Sequence, residues 1–253
     1  MIHPTVQSGS ELPRDVEVGP YAVIGPEVEF GSGVVIGPHA FVTGPCRIGD
    51  GVYIGPSAVV GTDPQDLKYR GERTELVIGP RTVIREFANI NRGTGESGRT
   101  VIGADCLIMA YVHVAHDCVV GDRVILANAV NIAGHVEIGD DVNIGGVVPI
   151  HQFVRIGKHS MIGGGFRVSK DVPPFVLAGG SPLRVMSLNL VGLKRKGFSS
   201  DRLDELGRAF RYLFREKGTL TTKAKEIMEQ GSSSEDCVHL ADFILTSDRG
   251  VIS

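Results

Sequence analysis

Residues 18–37 read VGPYAVIGPEVEFGSGVVIG and contain the six-residue repeat that decides the fold. An apolar residue occupies every sixth position of this stretch, and a glycine follows it each time. The same frame runs from position 6 to position 168 without a slip, and its only members that are not apolar are Asp66, Glu72 and Glu96. An internal repeat of this kind is the signature of a solenoid, in which each unit packs only against its neighbours.

The repeat predicts short β-strands with tight turns between them. The apolar residue and the small residue two places before it point inward, as alternation along a strand requires, and glycine gives the turn its backbone freedom. Three such strands make one triangular coil of 18 residues, and the repeat is long enough for about nine coils. We therefore predict a mainly β protein, with a parallel β-helix of hexapeptide repeats over residues 1–178.

Two segments keep the frame but lose its pattern. Residues 62–73 (TDPQDLKYRGER) and 93–98 (GTGESG) are polar and rich in turn-forming residues. We expect both to leave the solenoid as loops, and loops on rigid scaffolds often carry function.

The repeat ends in DVPPF at 171–175, where two prolines interrupt any strand or helix. A small α-helical domain is predicted over 179–253, helical from about Ser181. One long helix should start near Ser199 and run to Lys217, and two more are expected at about 221–230 and 234–246. Three arginines share a face of the long helix, which is either a solvated surface or a docking site for an acidic partner; they are Arg208, Arg211 and Arg215.

Composition excludes several classes of protein. The 253 residues carry a formal net charge of −3, so no global basic field indicates nucleic acid or an anionic membrane as partner. We find neither a transmembrane segment nor a secretory signal, and expect a cytoplasmic protein. The four cysteines lack the spacing of a zinc site or a disulfide framework, and three of them fall on inward positions, so we interpret them as structural thiols.

The candidate chemistry centres on VHVAHDC at 112–118. Residues 18 apart stack in successive coils, so Gly134 should lie directly above His116, with Asp117 beside that histidine. The same edge of the solenoid should gather further polar side chains, namely His113, His135, His151 and Gln152. The histidine intervals do not match those of zinc-binding solenoids, so we predict no metal. One imidazole beside a carboxylate suits general-base activation of a hydroxyl. A convex solenoid face excludes little water, which argues for a pocket shared with a second subunit.

Several ordered motifs carry a specific resemblance. They are QDLKY from Gln65, HVAHDC from His113, LAN from Leu126, AGHV from Ala133, HQF from His151, DVPP from Asp171 and GLKRKGFS from Gly192. Together they resemble the acyl-[acyl-carrier-protein]:UDP-N-acetylglucosamine O-acyltransferase family, which begins lipid A biosynthesis. The resemblance implies a left-handed β-helix, a cytoplasmic homotrimer with active sites between subunits, and no bound metal or organic cofactor. It also implies that acyl carrier protein delivers the acyl chain on its phosphopantetheine.

The resemblance also assigns roles to residues. His116 matches the general base for the sugar 3-hydroxyl, Asp117 the carboxylate that orients it, and the Gly134 N–H the oxyanion donor. The substrate-binding positions are Asp66, Lys68, His113, His135, His151, Gln152, Asn189 and Arg195. Gly164 matches the position that sets acyl-chain length, and we expect nearby Phe166 to pack inside, leaving room for a long chain.

Some positions depart from the family pattern, and more than one function stays open. Asn91 stands where a histidine is usual, Val191 replaces a glutamate, and Ser181 replaces an asparagine between Gly180 and Pro182. These departures leave open an acceptor sugar with a 3-amino group. Acetyl-CoA-dependent sugar acetyltransfer and a non-catalytic, regulatory solenoid are two further functions that the sequence allows.

Overall fold

The structure, a computed structural model, describes residues 1–229 and 234–253. Its main body is a triangular prism whose three faces are sheets A, B and C, and the chain visits them in that order on every coil. The corners between faces are called here the AB, BC and CA edges. All neighbouring strands of the prism coils are parallel, so the predicted parallel β-helix is confirmed.

Most strands are two residues long. The first residue of each pair points outward, the second points inward, and a corner of the prism follows. Sheet A consists of Glu17–Val18, Val35–Ile36, Tyr53–Ile54, Val83–Ile84, Leu107–Ile108, Ile125–Leu126, Asn143–Ile144, Met161–Ile162, Val176–Gly179 and Arg184–Leu188. Sheet B consists of Gln7–Ser8, Val23–Ile24, Phe41–Val42, Val59–Thr62, Asn89–Asn91, His113–Val114, Asn131–Ile132 and Pro149–Ile150. Sheet C consists of Val28–Phe30, Cys46–Ile48, Glu75–Ile78, Arg99–Ile102, Val119–Val120, Glu137–Ile138 and Arg155–Ile156.

Strand register locates the two loops. In a regular coil the paired residues are 18 apart, as for Val114 and Ile132. The separation is 30 between Val60 and Ile90, and 24 between Ile90 and Val114. Residues 63–73 and 93–98 therefore leave the prism at the BC edge, as predicted except for Thr62, which stays paired with Asn91 in sheet B.

The interior is a column of apolar side chains that belong to the six-residue frame and to the positions two before it. Ile54, Ile84 and Ile132 are fully buried. The four cysteines, all within the described residues, are free and buried. Burial raises the pKa of Cys46 and of Cys118 to about 12, so neither thiol is reactive at neutral pH.

Sheet A continues beyond the boundary predicted at residue 178. Val176–Gly179 pairs in parallel with the coil before it and antiparallel with Arg184–Leu188, and Gly180, Ser181 and Pro182 lie in the turn between these two strands. The prediction of helix from about Ser181 was wrong for this segment. Antiparallel pairing with the last coil imposes the strand, and the repeat gives no sign of it because its frame ends at Val168.

In the described part of the chain, four helices follow the hairpin: α1 (Leu190–Arg195), α2 (Ser200–Arg215), α3 (Leu220–Glu229) and α4 (Glu235–Leu245). The hydroxyl of Ser199 accepts a hydrogen bond from the Arg202 N–H at the start of α2, as an N-cap does. The last residue of the helix predicted at about 221–230, position 230, lies outside the described residues. Within residues 1–229 and 234–253, no helix has the length and apolar character that crossing a membrane requires.

Candidate active site

His116 and Asp117 form a buried dyad at the BC edge. They are 6% and 5% exposed, although neither occupies an inward position of the repeat. The His116 Nδ1 lies 2.7 Å from the Asp117 Oδ2. The 93–98 loop folds back over this edge and contacts the Asp117 carboxylate, while Gly134 and His135 pack against the His116 ring.

Both oxygens of the Asp117 carboxylate accept hydrogen bonds from that loop. The Thr94 N–H donates to Oδ1 at 2.9 Å, and the Thr94 hydroxyl donates to Oδ2 at 2.7 Å. The Ser97 hydroxyl donates to Oδ1 as well. Burial by itself would raise the pKa of Asp117, but the hydrogen bonds from Ser97, His116 and Thr94 outweigh it and lower the pKa to about 2. The group is therefore a carboxylate throughout the physiological pH range.

An ionised carboxylate fixes the tautomer of the histidine. Asp117 can only accept, so the shared hydrogen must lie on Nδ1 of His116. The lone pair is then on Nε2, which is the arrangement of a general base oriented by a carboxylate.

Gly134 lies over the His116 ring, as the 18-residue spacing predicts. A Cβ built on Gly134 would stand 2.5 Å from His116 Cε1 and 2.8 Å from Nε2, so this position has no room for a side chain. The Gly134 carbonyl accepts a hydrogen bond from Phe153, whereas its N–H has no acceptor among the described residues. An N–H without an acceptor, on a residue that packs against the His116 ring, is a candidate oxyanion donor.

His135 and Phe153 extend the site along the edge. The His135 ring stacks on Phe153 at 4.6 Å between centroids, and its Nε2 lies 3.5 Å from both Asp117 and Glu96 carboxylates. Sequence reasoning missed Phe153, although the 18-residue rule places it above His135. It also missed Thr94 and Ser97 as partners of Asp117, because loop conformation does not follow the repeat.

The ligand atoms of His116, Asp117 and His135 all lie within 4.8 Å of one another, a spacing that one metal ion could use. A carboxylate has about four lone-pair positions, and Thr94, Ser97 and His116 already supply four donors. A metal ion would have to displace some of these donors. The donor set therefore fits a hydrogen-bonded dyad better than a metal centre.

The remaining predicted polar residues lie on the same side of the prism but do not join the dyad. His113 is half-buried on the outer side of sheet B; burial lowers its pKa, and the proximity of His116 adds to the effect. His151 is exposed, and its Nδ1 faces the Gln152 carbonyl at 3.1 Å.

The 62–73 loop carries Asp66 and Lys68, which contact each other through the Asp66 carboxylate and the Lys68 N–H at 2.9 Å. Among the described residues neither makes a hydrogen bond or ion pair with the dyad. Asn91 anchors this loop, because its side-chain nitrogen donates to the Thr62 hydroxyl and the Asp63 carbonyl. Asn91 therefore has a structural role in this chain.

Asn189 and Arg195 line a cavity of about 220 Å³ on sheet A and the CA edge. Asn189 begins α1, accepting a hydrogen bond from the Gly192 N–H and donating one to the His159 carbonyl. Val191 is exposed and lines the same cavity. Sheet C lies between the CA edge and the BC edge, so within one chain this cavity is remote from the dyad.

Gly164 and Phe166 lie at the AB edge, in the last turn of the prism. Gly164 is exposed, and a Cβ there would meet the Gly146 carbonyl oxygen at 3.0 Å. Phe166 is half-buried, packed against the hydrophobic core, with its ring 3.0 Å from where a Cβ of Gly163 would stand. Phe166 is thus only partly covered, unlike the fully buried side chains of the prism interior, and it lies on an edge that does not carry the dyad.

The three arginines of α2 are all exposed but differ in their contacts. The Arg215 guanidinium donates to the Met186 carbonyl at 2.6 Å and lies over the Phe210 ring. Arg211 lines a surface cavity next to Lys194, and no hydrogen bond or ion pair within the described residues holds Arg208 or Arg211. Arg215 fastens α2 to the last strand of sheet A, whereas the other two charges are available to a partner.

Comparison with known proteins first defines the class. Residues 27–62 and 99–134 match the bacterial transferase hexapeptide repeats, and residues 171–252 match the second domain of UDP-N-acetylglucosamine O-acyltransferases. The chain is therefore a hexapeptide-repeat transferase, and its prism is the left-handed parallel β-helix of that class.

Full-length relatives then define the family. The acyl-[acyl-carrier-protein]–UDP-N-acetylglucosamine O-acyltransferase of Paracidovorax citrulli is 49% identical over 99% of this chain and 98% of its own length. The enzyme of that name from Thiobacillus denitrificans is 47% identical, with the same coverage. The solved UDP-N-acetylglucosamine acyltransferase from Campylobacter jejuni is 41% identical and superposes with a TM-score of 0.88, covering 100% of this chain and 99% of that one. The chain belongs to the acyl-[acyl-carrier-protein]–UDP-N-acetylglucosamine O-acyltransferase family.

Proposed function

We propose that this protein transfers an acyl chain from acyl carrier protein to the 3-hydroxyl of UDP-N-acetylglucosamine, the first step of lipid A biosynthesis, in the cytoplasm. The observation that carries the proposal is the His116–Asp117 dyad packed against Gly134, where neither Nε2 of His116 nor the Gly134 N–H has a hydrogen-bond partner among the described residues. The names of the relatives support both substrates.

The proposed reaction balances without any bound cofactor or metal. Nε2 of His116 takes the proton from the sugar hydroxyl as its oxygen attacks the thioester carbon. The Gly134 N–H donates to the oxyanion that forms. When the intermediate collapses, the carbon–sulfur bond breaks, and the thiolate of the phosphopantetheine takes the proton back from His116. The products are the 3-O-acyl sugar nucleotide and free carrier-protein thiol.

We further propose a homotrimer with its sites between subunits. The dyad is on the BC edge, whereas the Asn189–Arg195 cavity and Gly164 lie on other parts of the prism. Two prisms side by side would bring the BC edge of one against the cavity of the next, so that one sugar nucleotide can reach both. Asp66, Lys68, His113, His135, His151 and Gln152 would then bind the sugar and the start of the acyl chain.

Within this proposal Asn189 and Arg195 bind the nucleotide, and Gly164 sets acyl-chain length. Phe166 is half-buried against the hydrophobic core, and we propose that it leaves room for a long hydroxyacyl chain. Arg208 and Arg211 would attract the carrier protein, with Arg215 supporting the helix that bears them.

A product assay tests the function. The protein is incubated with acyl carrier protein or acetyl-CoA as donor, and with UDP-N-acetylglucosamine or its 3-amino analogue as acceptor. We expect product only with the carrier-protein donor and the hydroxyl acceptor, and mild alkali should cleave it, because an ester hydrolyses where an amide survives. Alkali-stable product, turnover with acetyl-CoA, or no turnover with any pair would each contradict the proposal.

A further inference from the structure

The 93–98 loop is held in a conformation that serves Asp117. Its two ends approach closely enough that a Cβ on Gly93 would stand 2.4 Å from the Arg99 nitrogen. Gly95 packs against the Glu72 side chain, so the longer 62–73 loop braces the shorter one. Glu96 points outward toward His135, while Thr94 and Ser97 turn inward to the carboxylate.

The contacts of this loop go beyond what a tolerated insertion needs. Three donors from Thr94 and Ser97 converge on one buried carboxylate, and they come from only four residues of chain. A fourth contact fixes the backbone beneath it, because the Thr100 hydroxyl accepts a hydrogen bond from the Asp117 N–H at 2.9 Å. Hydrogen bonds to a buried charge are among the stronger and more directional ones in proteins.

We propose that residues 93–98 form a clamp that positions the Asp117 carboxylate for its hydrogen bond to His116, with Thr94 and Ser97 as positioning residues. This inference rests on the proposed function of the dyad. The clamp acts in two ways: it sets the direction in which Oδ2 meets Nδ1, and it covers the carboxylate against water. Neither residue has to touch substrate.

The test compares Ser97→Ala and Thr94→Val with Thr94→Ser, which keeps the hydroxyl. Because misplacing a catalytic group by about an ångström can cost about 100-fold, we expect kcat to fall about 10-fold in each of the first two variants. KM for both substrates should change less than about twofold, since the substrate contacts remain. Thr94→Ser should keep wild-type kcat.

A double-mutant comparison separates positioning from folding. In an Asp117→Asn background, where the acceptor has lost its charge, Ser97→Ala should lower kcat no further, whereas a purely structural effect would add to the loss. Ser10→Ala is the matched control. The Ser10 hydroxyl is likewise hydrogen-bonded at the BC edge, donating to the Gly25 carbonyl at 2.8 Å and accepting from the Val28 N–H, but it lies many coils away from the dyad. It should leave kcat unchanged.

Three outcomes would overturn the clamp, and the third would overturn the proposed function with it. Wild-type kcat in both Ser97→Ala and Thr94→Val, in a protein that His116→Ala inactivates, would defeat this inference and leave the proposed function standing. An equal further loss in the Asp117→Asn background would do the same. Activity retained in His116→Ala would defeat the proposed function and the clamp together.

Discussion

Two edges of the same prism are built from the same repeat and look entirely different. The BC edge is interrupted by both loops and carries the dyad, Gly134 and His135. The AB edge runs without interruption and presents apolar side chains to solvent: Tyr21, Phe87, Tyr111 and Val147 are between 50% and 67% exposed. Phe87 and Tyr111 stack with 5.0 Å between ring centroids. The frame fixes only the interior, so each edge is free to take a separate task, chemistry on one and, as we propose, association on the other.

The strongest test of the difference between the two edges is to remove the proposed base, His116, from the BC edge. His116→Ala should lower kcat by about 10²- to 10⁴-fold, the usual contribution of a general base, without changing the melting temperature much. Steady-state kinetics on folded protein measures this, and Tyr53→Ala on the outer side of sheet A is a control expected to keep turnover. Wild-type turnover in His116→Ala would contradict the assignment.

The next effect concerns the space above the base. Gly134→Ala places a methyl group 2.5 Å from the His116 ring, so the ring or the coil must shift. We expect kcat to fall about 100-fold, as for a displacement of about an ångström. Gly33→Ala is not a fair comparison because its φ is positive; Gly207→Ala, in a helix with open space around it, serves instead and should be silent.

Charge on the AB edge should separate the subunits. If Phe87 and Tyr111 are covered in the trimer, each ring contributes about 1.5–3 kcal/mol to association, so Phe87→Glu with Tyr111→Glu should yield monomers by light scattering. Activity should fall with the trimer, because the site needs a neighbour. Met228→Glu, on α3, alters an exposed apolar residue elsewhere and should leave assembly intact. A trimer that survives the double change would place the interface on another surface.

A smaller effect is expected at the position that we propose to set chain length. Gly164→Met should shift preference toward shorter acyl chains by about tenfold per step, since a methylene in an apolar slot is worth about 1–3 kcal/mol. The assay uses hydroxyacyl carrier proteins of graded length. If Phe166→Ser lengthens the preferred chain while Gly164→Met does nothing, the determinant is Phe166.

The smallest effect belongs to the helical domain. Reversing Arg208 and Arg211 to Glu should raise KM for acyl carrier protein about two- to fivefold, the range for exposed ion pairs, and the effect should weaken with salt. Acyl-pantetheine should be used as before. Arg215→Glu provides the contrast: it loses the Met186 carbonyl and should lower the melting temperature. An equal rise in KM with both donors would mean that this face is structural.

The repetitive part of the molecule could be predicted from the sequence. The conformation of the loops and the strand pairing after the last coil could not. The six-residue frame located the strands and both loops. The 18-residue spacing placed Gly134 over His116, because residues one coil apart in a regular solenoid lie above one another. The inward turn of Thr94 and Ser97 depends on loop conformation, which has no period. The strand Arg184–Leu188 exists through antiparallel pairing with Val176–Gly179, and it in turn offers the carbonyl that engages Arg215.

Val147 illustrates the conformational free energy that a corner of the prism requires. It is a β-branched residue with φ of 59° and a side chain that is 67% exposed, a backbone state that disfavours L-residues by about 1–2 kcal/mol. Glycine or asparagine would relieve that strain, so either residue would make the isolated chain more stable than valine does. In the trimer that we propose, another surface would cover this side chain, and its burial would recover the energy that the single chain loses at this corner. Stability of the single chain and stability of the assembly thus favour different residues at one position.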